Sequence, residues 1–157
     1  MNLFHLYRRP ALSGTNKNEL LSDVRKKVSI GIKEIETEYC FNIEVTAPLN
    51  DEELKVLRWL LSETFEPENF SGESFLTQHL AFSTQHLVTE VGPRMNFTTA
   101  WSTNAVSVCR ACGLNKIKRI ERSRRYKLLI DDEVQGTKEA KNQSLEPLNP
   151  RILEPFT

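Results

Sequence analysis

The sequence predicts an α+β fold of two layers, a sheet with helices on one face, and three observations carry that expectation. Residues 35–45, "IETEYCFNIEV", alternate strictly between apolar and polar positions. The stretch "PLNDEEL" announces a capped helix. Strand and helix patterns then follow one another in the order βαβα, then βαβ.

Residues 3–9, "LFHLYRR", read as a first strand closed by Pro10. Residues 16–30 read as a helix capped by Thr15 or Asn16. In it Leu20, Val24 and Val28 recur every fourth residue, Leu21 widens the stripe and Gly31 stops it. In the alternating stretch, Ile35, Thr37, Tyr39, Phe41, Ile43 and Val45 form the expected buried face. Glu36, Glu38, Cys40, Asn42 and Glu44 form a mostly wet one, and the two carboxylates at 36 and 38 read as ordinary surface residues. The run exceeds the usual strand of ~5–6 residues, so it must bend or serve two parts of the fold.

In the second helix Asn50 caps while Glu53 reaches back, and Asp51, Glu52 and Glu53 put negative charge at the positive end of the dipole. Leu54, Leu57, Leu60 and Leu61 make its buried stripe, flanked by Trp59. Residues 66–84, with Pro67 and Gly72, show no clean period and read as a loop with some short helix in it. "QHLVTEV", residues 85–91, reads as a strand. A short helix is expected over 103–112, capped by Ser102 or Thr103 and ended by Gly113 in the left-handed region. In the last strand Tyr126, Leu128 and Ile130 alternate, and residues 117–121 are a separate piece or the same strand bent.

Composition bounds the rest. A chain of 157 residues has room for one domain and an ordinary core, and 39% hydrophobic with 27% charged residues is close to the globular average. The 21 basic and 21 acidic residues cancel, which removes a global electrostatic case for nucleic acid or a membrane surface. No apolar run approaches the ~18 residues of a membrane helix, and the first residues put apolar groups before the basic pair, the wrong order for a signal peptide. Cys40, Cys109 and Cys112 are an odd count without framework spacing, so they read as reduced thiols of a cytoplasmic protein. Residues 131–157 are polar, aperiodic and proline-containing, and read as a solvated tail or the start of a linker after a domain spanning 1–130.

Several constellations invite a chemical reading. Cys109 and Cys112 form a C-x-x-C, but His5, His79 and His86 supply no pair of further zinc ligands, and the cysteines sit in a last helical turn instead of a first. Buried packing is the plainer reading. Residues 116–127 hold seven basic side chains and one acid, Glu121, a stripe that could track a phosphate backbone or simply form the wet face of a protected edge strand. No histidine stands where it would activate one of the many hydroxyls, and there is no glycine-rich phosphate loop. The most unusual stretch is "EVGPRMNFTTAWSTNAVSVCRACGL", residues 90–114. Hydroxyls crowd the entrance to a helix whose free N–H groups favour an anion, and Arg94 adds a guanidinium suited to phosphate or carboxylate. An anion pocket, a docking face and a generously capped helix all fit that pattern.

The stretch "LVTEVGPRMNFTTAWSTNAVSVCRACGL", followed by "RIERSRRYKL" and preceded by "IETEYCFNIEVTAPLNDEELKVLRWLL", resembles the N-terminal domain of phosphoribosylformylglycinamidine synthase of the large single-chain type. Gly-Pro-Arg, the Thr/Ser/Asn entry, Val-Cys-Arg and Cys-Gly-Leu stand in order, and the resemblance covers roughly residues 1–130. It implies a ligase of purine synthesis that converts formylglycinamide ribonucleotide to the amidine with ATP, Mg²⁺ and ammonia released from glutamine. It also implies two ferredoxin-like βα halves sharing long strands, as in a dimer of the small separate subunit of the split enzyme. The partners implied are the synthetase and glutaminase domains. The ATP and Mg²⁺ ligands and the glutaminase cysteine belong to those domains, so no cofactor site and no catalytic residue carry over to this segment, which is expected to be inactive alone.

The residues expected to face the synthetase domain or an anion are Arg94, Asn96, Thr98, Ser102, Thr103 and Asn104. Two other readings stay open: a stand-alone interaction module that acts like the small subunit in trans, and a nucleic-acid-binding module using residues 116–127.

Overall fold

The two longest strands organise the molecule. In the computed structural model, which describes residues 2–62, 67–77, 85–94 and 96–130, β2 (Ile32–Val45) and β5 (Ile117–Ile130) are each 14 residues long and pair antiparallel from end to end. β1 (Asn2–Arg8) pairs with the second half of β2, from Asn2 opposite Val45 to Arg8 opposite Tyr39. β4 (Gln85–Val91) pairs with the second half of β5, from Gln85 opposite Ile130 to Val91 opposite Arg124. β3 (Phe70–Ser71) adds to β1, giving a five-stranded antiparallel sheet in the order β3-β1-β2-β5-β4. The over-long alternating strand thus serves two parts of the fold, and register shifts near Glu34 and Val45 mark where it bends. Residues 117–121 belong to the same strand as Tyr126–Ile130.

Three helices complete the α+β fold: α1 (Gly14–Lys27), α2 (Asp51–Leu61) and α3 (Ala100–Ala111). Leu57 of α2 and Val106 and Cys109 of α3 pack with Leu6, Phe41, Ile43, Val45, Ile117 and Ile120 of the sheet. Those odd-numbered β2 residues are the face the alternation assigned to the core. The Asn50–Glu53 capping box forms as read: Asn50 Oδ1 accepts from Glu53 N and Asn50 N donates to Glu53 Oε2, both at 2.8 Å. Lys116 Nζ reaches the same Glu53 oxygen at 2.7 Å and ties the start of α2 to the start of β5.

Local details correct the reading of α1 and of its neighbours. Its cap is Ser13, which accepts from Asn16 N, and it ends at Lys27. Arg25 donates from Nε to Ile32 O at 2.7 Å and from Nη2 to Lys33 O at 2.8 Å, turning the chain back so that Val28 and Ile30 lie exposed outside the stripe. Trp59 stands 73% exposed and does not flank the core. The stretch read as loop contains two 3-10 turns, Pro67–Asn69 and Phe75–Thr77, and the short strand β3; its residues 66 and 78–84 lie outside the described residues, as does the tail 131–157.

The larger correction concerns the even face of β2. Glu38 and Cys40 are both 0% exposed and Glu44 is buried as well. The turn carrying Ser74 and Phe75 folds over Glu38: Ser74 Oγ donates to Oε1 at 2.5 Å and Phe75 N to Oε2 at 2.9 Å. Arg9 Nε at 3.4 Å and Arg125 Nη1 at 3.6 Å balance its charge. Phe75 also carries Arg9 and Lys127 over its ring, at 5.7 and 5.4 Å from the centroid. Glu38 therefore anchors a covered polar layer, with hydrogen bonds and cations offsetting its desolvation.

Removing that carboxylate takes the counter-ion from Arg9, leaves Arg125 with Glu90 alone, and strips Ser74 Oγ and Phe75 N of their acceptor. Glu38→Ala is expected to lower the unfolding free energy by about 3 kcal/mol, measured by urea denaturation. A loss below ~1 kcal/mol would place Glu38 among ordinary surface glutamates after all.

Candidate functional site

The hydroxyl-rich entrance begins one turn earlier than the sequence suggests. α3 is capped by Thr99, whose Oγ1 accepts from Ser102 N at 3.0 Å while its carbonyl accepts from Thr103 N at 3.0 Å and Thr103 Oγ1 at 3.2 Å. Helix residues therefore include Ala100 to Ser102, and Ser102 and Thr103 are not caps. The helix ends as read, with Gly113 at φ 85°, where a side chain would be strained.

The anion expected at this helix start is supplied from within the chain. Glu121 of β5 accepts from Thr99 Oγ1 at 2.8 Å and from Thr99 N at 3.1 Å. Arg119 pairs with the same carboxylate at 3.1 Å and also donates to Phe97 O. Ser102 is fully buried, and its Oγ accepts from Ile120 N at 3.4 Å, so it joins α3 to β5. The chain leaving β4 lies close on that strand: a Cβ on Gly92 would stand 2.7 Å from Ser123 Cβ.

The six sequence-selected residues divide accordingly. Ser102 is inside the fold and Thr103 bonds within its own helix. Arg94, Asn96, Thr98 and Asn104 are exposed, and their side chains make no hydrogen bond or ion pair with the described residues. Thr99 and Glu121 are the pair the sequence reading passed over. Thr98, Thr99, Ser102 and Thr103 are all competent caps, and choosing among them requires Glu121, which is distant in sequence.

The basic stripe is not a wet edge. β5 is a central strand, and Lys127 is only 1% exposed. Lys116 pairs with Glu53, Lys118 with Glu44, Arg119 with Glu121, Arg125 with Glu38 and Glu90, and Lys127 with Glu36. Five of the seven cations are thus matched by acids of the same fold, which takes away most of what a phosphate backbone would need. Arg122 and Arg124 lie against aromatic rings instead.

A cysteine–histidine contact sits on the opposite face from the core, with Cys40 Sγ 3.8 Å from both His5 Nδ1 and Asn42 Oδ1. It is not an activated nucleophile: burial pushes the thiol up to about 11, and the sulfur is sealed from solvent. Burial also raises Cys109, which belongs to the core, whereas Cys112 is exposed. The C-x-x-C is therefore split between core and solvent, so packing describes Cys109 and not Cys112. Among the described residues no group of three or more metal-ligating side chains forms.

Two carboxylates tie this region to pH. Burial would raise Glu121, but the Thr99 hydroxyl and amide and the Arg119 guanidinium hold it below the usual range. Burial opposes Glu90 in the same way, and the Ser123 hydroxyl and Arg125 bring it below that range. Both therefore stabilise the fold fully above the unfolded glutamate value of ~4.3, and that contribution is lost as pH falls through their lower folded values. Unfolding free energy should fall with pH below ~4.3. Glu121→Gln is expected to flatten part of that acid limb in urea titrations across pH, and an unchanged slope would remove Glu121 from the account.

The sequence matches a known family over most of its length. Residues 38–155 match the family model described as formylglycinamide ribonucleotide amidotransferase N-terminal, a match that runs past residue 130. The chain is 50% identical over 126 residues to a probable phosphoribosylformylglycinamidine synthase, chloroplastic/mitochondrial, of Arabidopsis thaliana, covering 80% of this chain and 9% of that protein. It is 44% identical over 157 residues to the phosphoribosylformylglycinamidine synthase of Dictyostelium discoideum, 98% of this chain and 11% of that one. The Homo sapiens phosphoribosylformylglycinamidine synthase is 39% identical over 131 residues, 80% of this chain and 9% of its own length. The chain thus spans about a tenth of the length of these relatives. It belongs to the family of formylglycinamide ribonucleotide amidotransferase N-terminal domains.

Proposed function

We propose that residues 1–130 are the assembly domain of a phosphoribosylformylglycinamidine synthase, with 131–157 the start of a linker. The domain docks onto synthetase and glutaminase domains that hold ATP, Mg²⁺ and glutamine and carry out the ligation. The family match is the observation that carries this reading. Two features of the fold support a docking role over chemistry of its own: the buried thiol is held protonated, and the polar groups at the α3 entrance divide into inward bonds and a set of exposed, unpartnered side chains.

The architecture of the proposed module is two ferredoxin-like halves. β1–α1–β2 and β4–α3–β5 repeat one order of short strand, helix and 14-residue strand, and the two long strands pair with each other at the centre of the sheet. A dimer of a small subunit fused into one chain would have this arrangement. A cytoplasmic location fits three cysteines that form no disulfide, and no helix among the described residues is long and apolar enough to cross a membrane.

Arg94 is the leading docking residue, together with Asn96, Thr98 and Asn104; Thr103 stands at the rim and Ser102 supports the surface from inside. A guanidinium suits a carboxylate or phosphate edge, and no described acid pairs with Arg94. Arg94→Ala in a complete synthase is expected to lower kcat/KM for the glutamine-dependent reaction about tenfold, equivalent to ~1.4 kcal/mol, without changing the unfolding midpoint of the isolated 157-residue chain. Unchanged activity in that variant would remove Arg94 from the interface.

A further inference from the structure

The acids and bases of the sheet are sorted by face, and one face is left with arginines alone. The alternation of β2 and β5 places Tyr39, Phe41, Arg122 and Arg124 on the face that α2 and α3 cover. Glu36, Glu38 and Glu44 of β2, and Glu90 of β4, stand on the other. Arg122 Cζ lies 4.5 Å from the Tyr39 ring centroid and 5.1 Å from that of Trp101. Arg124 Cζ lies 5.4 Å from the same Tyr39 ring. Its Nη2 and Nη1 donate to the phenol oxygens of Tyr39 at 3.3 Å and Tyr126 at 3.4 Å, while its Nε is buried without a hydrogen-bond partner. Among the described residues no carboxylate pairs with either arginine, although four other cations of the same strand each have one.

A buried guanidinium N–H with no acceptor is an unmet requirement, and aromatic rings meet only the π faces of a guanidinium. The N–H edges of the exposed Arg122 remain available for in-plane, charge-assisted bonds, the geometry that planar or tetrahedral oxyanions accept, while the Arg124 Nη groups already donate to the two phenol oxygens. Both guanidiniums border the same Tyr39 ring. The approach is open: Arg122 is exposed, and next to Tyr39 a cleft of about 470 Å³ runs past Arg8, Ala11 and Asn69.

We propose that Arg122 and Arg124, with the Tyr39 and Tyr126 hydroxyls, form an oxyanion-binding site for a phosphate or carboxylate group. Arg122 supplies an accessible guanidinium beside Tyr39 and Trp101, and Arg124 supplies the inner positive charge. The site rests on Arg122 and Arg124 and stands whether or not the Arg94 docking reading is right.

The test is a titration of the 157-residue chain with sodium phosphate, and separately with sodium malonate, at constant ionic strength held by chloride. The readout is the set of arginine Nε–H resonances in ¹H–¹⁵N spectra. Saturable shifts at Arg122 and Arg124 are expected, with Arg110 on α3 unmoved. Affinity should fall about tenfold in Arg122→Gln and again in Arg124→Gln, each the loss of one charge-assisted donor set. Arg122→Gln changes an exposed side chain and keeps the test valid if the inner variant unfolds. Phosphate binding alone marks a phosphorylated ligand, and malonate binding alone marks a carboxylate. Shifts that never saturate, or that are shared equally by Arg110, would overturn the site.

Discussion

The match between the acids of β2 and the bases of β5 is the constraint on which the rest of the structure depends. Glu36 stands opposite Lys127 and Glu38 opposite Arg125 along two 14-residue strands. A slip of one residue would turn Ile35, Phe41 and Ile43 away from the helices and bring Glu36 and Glu38 into the core. The apolar face and the charged face therefore demand the same register. The overall balance of 21 bases and 21 acids is reproduced locally, strand against strand.

From that pairing the two layers follow. The odd face of β2, with Leu6, Ile117 and Ile120 beside it, makes a floor on which Leu57 of α2 and Val106 and Cys109 of α3 pack. The even face becomes a polar layer, which the turn at Ser74 and Phe75 seals by bonding both oxygens of Glu38. Anchors outside the core repeat this logic: Lys116 holds the capping box of α2, and Glu121 holds the cap of α3. In both cases the group that fixes a helix start comes from β5 or the residue just before it, so the central strand helps set the positions of two helices as well as the register of its neighbours.

Local signals were legible wherever the deciding partner lay within a few residues. Asn50 and Glu53 are three apart, and the capping box formed as read. The β4 strand formed over the residues expected, and Gly113 ends α3 in the left-handed region. Signals failed where the partner was distant. Nothing near Glu38 announces Ser74 or Phe75, so alternation assigned it to solvent. Nothing near Thr99 announces Glu121, so the first turn of α3 went unread. The basic run looked like an exposed stripe because all of its acids except Glu121 lie on other elements, most of them on β2 and β4. Arg94 stood out by its motif, whereas Arg122 and Arg124 became distinguishable only when the neighbouring cations were seen to be paired.

A fold that satisfies its charges so thoroughly makes the exceptions informative. An exposed lysine without a partner means little, because water solvates it at small cost. A guanidinium set against an aromatic ring with a buried N–H lacking an acceptor, as in Arg124, is different, since water does not fully replace the bond it lacks. The acids needed to quench Arg122 and Arg124 exist on the adjacent strands but are committed to the other face by register. Moving one across would break the pairing that holds the sheet together. The arrangement therefore separates two uses of charge: on one face acids and bases hold the strands together, and on the other two arginines remain for an anion that the described residues do not supply.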